Sequence, residues 1–124
     1  MKLNIDCVRD ILLVIEAKDL GVQYEIKDIQ QKLNNKYSSD DVYYCCYQLY
    51  NSNMIDAFVI NLDLQRQLPL IQYITELTFS GHNFLENIKN DNNWNKIKQK
   101  LNKIGNYSLD IIKEVAKQAI ISNL

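Results

Sequence analysis

The residues best suited to chemistry are one histidine and three cysteines. His82, the single histidine, lies in the segment LTFSGHNFL, and the cysteines are Cys7 and the adjacent pair Cys45 and Cys46. A catalytic histidine needs an orienting carboxylate and a nucleophile or bound water. The sequence offers no Gly-x-Ser-x-Gly elbow and no phosphate-binding loop around it. We therefore expect no enzymatic activity and interpret His82 as part of a packing motif.

The cysteine pattern predicts buried, reduced thiols. Neighbouring helical residues point about 100° apart, so a disulfide between Cys45 and Cys46 would strain the backbone. Without a Cys-x-x-Cys pair or a second histidine, the sequence lacks the usual zinc ligands. The apolar run ILLVI is too short for a signal-peptide core or a membrane span. We expect no metal, no cofactor, no membrane contact and a cytoplasmic location.

The elements that must position these residues begin with three predicted helices. Asn4 is a good N-cap for the first helix. The extended segment VQYEI leads into a second helix within residues 27–36, and Ser38 caps a third helix that runs from about Asp40 to Asn51. The predicted buried stripe of the third helix consists of Val42, Cys45, Cys46 and Leu49.

A β hairpin and three more helices follow. Asn53 tolerates the left-handed conformation that ends a helix. Residues 54–63 and 70–78 are rich in β-branched and aromatic side chains, with a polar tip near Arg66 between them. Thr78 is the predicted cap of the fourth helix. The apolar stripes predicted for the last two helices are Trp94, Ile97, Leu101 and Ile104, and then Leu109, Ile112, Val115, Ala116, Ala119 and Ile120.

The fold class is therefore mainly α with a small antiparallel β hairpin, and the order of elements is that of a winged helix-turn-helix with extra C-terminal helices. The second and third helices would form the helix-turn-helix pair, and the hairpin would be the wing. We expect a winged-helix domain over residues 1–92 and a C-terminal helical extension over 93–124, packed on the same domain. The wide apolar face of the last helix predicts a homodimer.

Residues 74–94 also carry a resemblance. The pattern Leu-Thr-x-x-Gly-His-x-Phe-Leu, followed by Ile, Trp and Lys, resembles the signature of an uncharacterised family of small bacterial and phage proteins of unknown function. The matching positions are Leu77, Thr78, Gly81, His82, Phe84, Leu85, Ile88, Trp94 and Lys98. The family tends to have His in place of Cys45 and Gly in place of Asn53. The resemblance implies a winged-helix-like fold and a frequent prophage setting, and it implies no established activity.

The charge pattern leaves two classes of partner open. Residues 1–80 carry 7 Lys/Arg and 11 Asp/Glu, whereas residues 81–124 carry 7 Lys and 4 Asp/Glu. The third helix has no Lys or Arg, although DNA readers present cations to phosphates and Arg, Lys, Asn or Gln to base edges. The residues that would contact DNA are Lys27, Lys32, Lys36, Tyr43, Tyr44, Tyr47, Gln48, Asn51 and Arg66. Lys96, Lys98, Lys100 and Lys103 form either a solvated helix face or a stripe that contacts phosphates.

We expect a small non-enzymatic winged-helix protein, a prophage-associated, DNA-binding-like transcriptional regulator whose partner is double-stranded DNA. The alternative is a protein–protein interaction module that reuses the fold without binding DNA, such as a phage factor that binds a host protein. The tyrosines of the third helix favour this alternative, because tyrosine is enriched at protein interfaces.

Overall fold

The computed structural model describes residues 1–60 and 70–122. These residues form six helices and one two-stranded antiparallel sheet, which confirms the mainly α chain with a β hairpin. The tip of the hairpin, with Arg66, lies outside the described residues. In chain order the elements are α1 (Ile5–Glu16), α2 (Ile26–Lys32), α3 (Ser39–Asn51), β1 (Ile55–Ile60), β2 (Leu70–Leu77), α4 (Phe79–Ile88), α5 (Asp91–Ile104) and α6 (Leu109–Ser122).

The predicted helix caps are present. Side-chain oxygens of the cap residues accept hydrogen bonds from backbone N–H groups three residues further on, which satisfies donors that a helix start leaves unpaired. These bonds join Asn4 to Cys7 at 3.1 Å, Ser38 to Asp41 at 3.1 Å and Thr78 to Gly81 at 3.0 Å. Asn53, with φ of 59°, adopts the left-handed conformation just after α3.

The sheet has one further contact beyond the hairpin. The Tyr24 N–H donates to the Ile74 carbonyl at 3.0 Å, and the Ile74 N–H donates to the Tyr24 carbonyl at 2.7 Å. The predicted extended segment before α2 therefore pairs with the edge of β2 that faces away from β1. Both α2 and α3 are consequently anchored on the same small sheet.

The core lies around α1, which packs against α2, α3, α4 and β2. The predicted stripe of α3 is fully buried there, and buried residues of α5 and α6 extend the same cluster. One predicted core residue is an exception, because Ile104 is 50% exposed. It is the last residue of α5, and the chain turns away at Gly105 before α6 can cover it. No helix in residues 1–60 and 70–122 is long and apolar enough to cross a membrane.

The C-terminal helices are tied to α1 by polar contacts as well as by apolar packing. Trp94 Nε1 donates to Asp6 Oδ1 at 2.9 Å, and Lys98 Nζ donates to the same oxygen at 3.2 Å. Arg9 donates to the backbone carbonyls of Ile88, at 3.0 Å, and Lys89, at 2.6 Å, at the end of α4. Arg9 thereby satisfies carbonyls that a helix end leaves without partners.

Candidate interaction surfaces

The Leu-Thr-x-x-Gly motif fastens the start of α4 to the junction between α3 and β1. Thr78 Oγ1 donates to the Asn53 carbonyl at 2.7 Å, and the Thr78 N–H donates to the Met54 carbonyl at 3.1 Å. Gly81 lies directly over that Met54 carbonyl, where a β-carbon would overlap the oxygen. The glycine is therefore required by a close approach of backbone, and the motif joins two parts of the fold.

The remaining motif residues divide into core and surface. Leu77, Phe84, Leu85 and Trp94 are buried, whereas the His82 side chain is exposed. This corrects the packing role predicted for His82. Position 82 lies about 100° around the helix from the buried Gly81, so its side chain points to solvent. Within the described part of the chain, His82 forms no side-chain hydrogen bond or ion pair, so no orienting carboxylate prepares it for catalysis.

The three cysteines are free thiols in the core between α1 and α3. A side-chain hydrogen bond with Cys45, together with burial, raises the pKa of Cys7, and burial raises the pKa of Cys46. The hydrogen bond with Cys7 lowers the pKa of Cys45. Thiolates are the reactive and metal-binding form of cysteine, so the raised pKa values disfavour reaction at Cys7 and Cys46. Across residues 1–60 and 70–122, no group of His, Cys, Asp and Glu could hold a metal ion.

The outward side of α3 is aromatic and polar. Tyr43 Oη accepts a hydrogen bond from the Ile71 N–H of β2 at 3.4 Å, and Tyr47 is half-buried against the core. Tyr44 and Gln48 line a groove of about 220 Å³ together with the N-terminal residues and the loop between α5 and α6. Asn51 is exposed at the end of the helix. The predicted reading helix therefore has a neighbour in the C-terminal extension, which the sequence did not indicate.

The cations predicted to contact DNA lie on and after α2, and two of them are paired with carboxylates. Lys27 Nζ is 3.3 Å from Glu25 Oε2, and Lys36 Nζ is 3.4 Å from Asp10 Oδ2. The same Asp10 oxygen accepts a hydrogen bond from Tyr37 Oη at 2.6 Å. Lys32 is exposed, and Arg66 lies outside the described residues. The described cations of this set therefore lie on or after α2, and α3 itself carries no Lys or Arg.

An aromatic groove crosses the outer face of the hairpin beside the end of α3. The rings of Phe58 on β1 and Tyr73 on β2 stack with their centroids 5.3 Å apart, and Phe58 is 50% exposed. The groove has a volume of about 630 Å³, and none of the described residues that line it is Lys or Arg. We define the aromatic groove by Tyr50, Asn51, Asn53, Asp56, Phe58 and Tyr73.

The aromatic groove was not predicted from the sequence, although the sequence contains a signal for it. Asp56 and Phe58 alternate along β1 with more buried neighbours, which is the period of a strand with one solvent-facing side. The sequence cannot give the register that places Phe58 opposite Tyr73, because two irregularities in the pairing shift it.

A second groove, of about 470 Å³, lies between α5 and α6. Three lysines of α5 line it, together with small or polar side chains. We define the lysine groove by Asn93, Lys96, Gln99, Lys100, Lys103 and Ser122. Lys98 is not part of it, because its ammonium group turns to Asp6 of α1. The sequence left open whether these four lysines form a solvated helix face or a stripe that contacts phosphates. In the structure three of them face the groove and one binds α1.

Comparisons with known proteins agree with the motif. The model of the family described as "Hypothetical protein (DUF2513)" matches residues 2–107, from the start of the chain to the loop before α6. A protein of Haemophilus influenzae, described as an uncharacterized protein, is 34% identical over 125 residues, which cover 100% of this chain and 98% of the relative. No solved structure matches the chain. The predicted resemblance to an uncharacterised family is confirmed, and the chain belongs to the DUF2513 family.

Proposed function

We propose that this protein is a non-enzymatic protein-interaction module, and that it binds a partner protein through the aromatic groove and the neighbouring outward side of α3. The observation that carries the proposal is the half-exposed Phe58, stacked on Tyr73 in a groove whose described lining has no cation. Aromatic side chains that remain accessible in a concave surface are the usual energetic anchors of protein interfaces.

We further propose that the module has a winged-helix arrangement. Its support is the order of three helices and a hairpin, together with the pairing of Tyr24 with β2. This pairing adds a short third strand position on the far edge of β2. In such an arrangement α2 and α3 are the helix-turn-helix pair, and β1 and β2 are the wing. A cytoplasmic location and a prophage setting are also proposals, which rest on the free thiols and on the family resemblance.

Charge favours a protein over a duplex as the partner of α3. Phosphate contacts supply most of the non-specific affinity of DNA-binding proteins. The first turn of α3 carries Asp40 and Asp41, and the helix has no cation of its own. Of the described candidate cations, Lys27 and Lys36 already have carboxylate partners, and Lys32 is exposed. The loop between α5 and α6 also lies beside Gln48, which reduces the area of α3 that a duplex could contact.

The test of this proposal is recovery of a partner with matched variants. The tagged full-length chain is purified at moderate salt from cells that carry its gene, and each recovered protein is then titrated in purified form against the chain. We expect one partner to bind wild type and to lose about tenfold or more in affinity with Phe58→Ala and Tyr73→Ala, since truncating a central interface anchor costs about 2 kcal/mol or more.

Phe79→Ala is the matched control, because Phe79 is a phenylalanine that is 83% exposed on α4, outside the aromatic groove. Affinity that falls equally with Phe58→Ala and Phe79→Ala would contradict the proposed groove. A partner whose affinity is unaffected by both Phe58→Ala and Tyr73→Ala would also contradict it.

A DNA-binding transcriptional regulator is the second candidate, and the order of helices and hairpin favours it. In this proposal Gln48 and Asn51 read base edges, while Lys36 and Arg66 contact phosphates. Fluorescence anisotropy with genomic duplex fragments at about 50 mM salt tests it. Gln48→Ala and Asn51→Ala should then reduce discrimination between sequences, whereas Lys36→Ala and Arg66→Ala should weaken binding to all sequences alike.

A further inference from the structure

The lysine groove contains three positive charges that have no carboxylate partner among the described residues. Lys96, Lys100 and Lys103 lie three and four residues apart, so their side chains are neighbours on one side of α5. No Asp or Glu is among the described residues that line the groove, and none of these three lysines forms an ion pair in residues 1–60 and 70–122. Like charges at this spacing repel one another, so a bound anion would stabilise them.

Several other lysines of the described chain have carboxylate partners. Lys18, Lys89 and Lys98 each lie within hydrogen-bonding distance of a carboxylate, at 3.1, 2.7 and 3.2 Å. Lys98 is the informative case, because it belongs to α5 and follows the same run of lysines. Lys98 pairs with Asp6 and so helps to hold α5 against α1. The three groove lysines have no such carboxylate partner in residues 1–60 and 70–122.

The chemistry of the groove selects among possible ligands. A protein partner would need apolar or aromatic anchors, and protein interfaces are depleted in lysine. Ala119 is the one apolar residue among those described in the lining. Lysine binds phosphate as a point charge, and the amides of Asn93 and Gln99 can donate to phosphate oxygens. The lining therefore fits a phosphate ligand better than a protein surface.

The spacing of the lysines fits a row of phosphates. Lys96 and Lys103 are separated by seven steps of the α-helix, which is a rise of about 10.5 Å. One strand of a duplex carries one phosphate for about every 3.4 Å of its axis, so this span matches about three phosphates. We propose that the lysine groove binds the phosphodiester backbone of a nucleic acid, without reading its bases. This site is separate from the aromatic groove and does not depend on the function proposed for it.

The test measures the salt dependence of binding with the full chain. The probe is a labelled 20-base-pair duplex of arbitrary sequence, followed by fluorescence anisotropy from about 50 to 200 mM salt. Three phosphate contacts predict a slope of log affinity against log salt of about −2.7. Lys96→Gln with Lys100→Gln should reduce its magnitude to about 0.9 and weaken binding at 50 mM salt about tenfold or more.

The matched control is Lys113→Gln with Lys117→Gln, which removes the same charge at the same spacing from the exposed side of α6. We expect this pair to keep the wild-type slope. Lys100→Gln with Lys103→Gln is an independent second groove variant and should behave like the first. Glutamine is a polar helix former that retains part of the aliphatic stem, and unchanged thermal unfolding midpoints will verify that the variants are folded.

Three results would overturn the proposal. The first is an equal loss of affinity in the groove and control pairs, which would indicate net charge alone. The second is absence of binding by wild type at 50 mM salt. The third is equally tight, equally lysine-dependent binding of a poly-glutamate peptide, which would assign the groove to acidic protein. A single-stranded oligonucleotide that binds in place of the duplex supports the proposal, since it presents the same backbone.

Discussion

Gly81 and Asp6 show how single residues hold this fold together. Gly81 lets the backbone of Met54 pass directly against α4, and Thr78 uses the same Met54 carbonyl as a hydrogen-bond acceptor. Asp6 accepts hydrogen bonds from Trp94 and thereby ties α5 to the first turn of α1. Each residue joins segments that are distant in sequence.

Gly81→Ala should destabilise the protein by about 2–4 kcal/mol, and Gly81→Val by more, because the new side chain overlaps the Met54 backbone. The sign is diagnostic, since Gly→Ala in an open helix interior normally stabilises by up to about 1 kcal/mol. Urea denaturation measures the change. Ser80→Ala, one residue earlier in α4, is the control and should remain within about 0.5 kcal/mol of wild type. A more stable Gly81→Ala variant would show that the two backbones do not approach.

The stability contributed by Asp6 should depend on pH. Burial opposes ionisation, but the hydrogen bonds from Trp94 and Lys98 outweigh it and hold the pKa of Asp6 below its ordinary value of 3.8. The folded state therefore binds this proton less readily than the unfolded state, so the contribution is present above pH 3.8 and is lost as the pH falls through the lower folded pKa.

Asp6→Asn should consequently be less stable than wild type near pH 7, by about 1 kcal/mol. The difference should shrink between about pH 4 and pH 2. Trp94, the single tryptophan, supplies the fluorescence signal for urea titrations at each pH. Lys98→Gln removes one of the two donors and should give a smaller version of the same profile. A difference that is constant over the whole pH range would contradict the role of the Asp6 carboxylate.

Among the helices, α3 has a buried side and a side that faces outward. Its inner side is the stripe that contains Cys45 and Cys46, and it packs on α1 and supports the sheet. Its outer side carries tyrosines and continues into the aromatic groove through Tyr50 and Asn51. The helix is thus held in place by its inner side, so the protein partner that we propose would meet an outer side that is already ordered.

The burial of the inner side of α3 predicts that the cysteine thiols react slowly in the native protein. Cys7, Cys45 and Cys46 are fully buried, so a disulfide reagent should modify none of them in the native protein and all three after denaturation. Reaction with 5,5′-dithiobis(2-nitrobenzoate), followed by absorbance, counts the accessible thiols. Rapid modification of even one thiol under native conditions would mean that the contact between α1 and α3 opens readily.

Features that depend on residues close together in the sequence were easier to predict than features that depend on tertiary contacts. Caps such as Asn4 and Thr78 are local, as are the helical stripes, and they were predicted correctly. Ile104 and His82 were misjudged, because their exposure depends on where the chain turns and on which side of a helix is covered. The stacking of Phe58 on Tyr73 depends on strand register, and the lysine groove depends on how α6 lies along α5. These arrangements are tertiary, and a single sequence does not specify them.

At the scale of the whole molecule, the charge asymmetry along the sequence becomes an asymmetry of surfaces. The acidic N-terminal part provides the aromatic groove with Asp56 and no described cation, whereas the basic C-terminal part provides the lysine groove. Together, the two proposals describe a small adaptor that binds a protein through the aromatic groove and a nucleic-acid backbone through the lysine groove. The family match ends near residue 107, before α6, which completes the lysine groove.

We also propose that two copies associate through α6. Ile111 and Ile121 are 38% and 51% exposed there, and burial of apolar surface between copies would stabilise a dimer. Light scattering at micromolar concentration should give twice the mass of 14.6 kDa. Ile111→Lys with Ile121→Lys should give monomers that unfold at the same urea concentration in dilute solution. A wild-type chain that is monomeric at high micromolar concentration would rule out the dimer.

The most direct test of the central claim, that the aromatic groove binds a protein, is photo-crosslinking in cells. Benzoylphenylalanine is introduced in place of Phe58 in the full chain, and in place of the exposed Phe79 in a parallel chain. We expect one dominant adduct from position 58 that protease removes and nuclease does not, with little adduct from position 79. An adduct from position 58 that nuclease removes, or equal adducts from both positions, would contradict this claim.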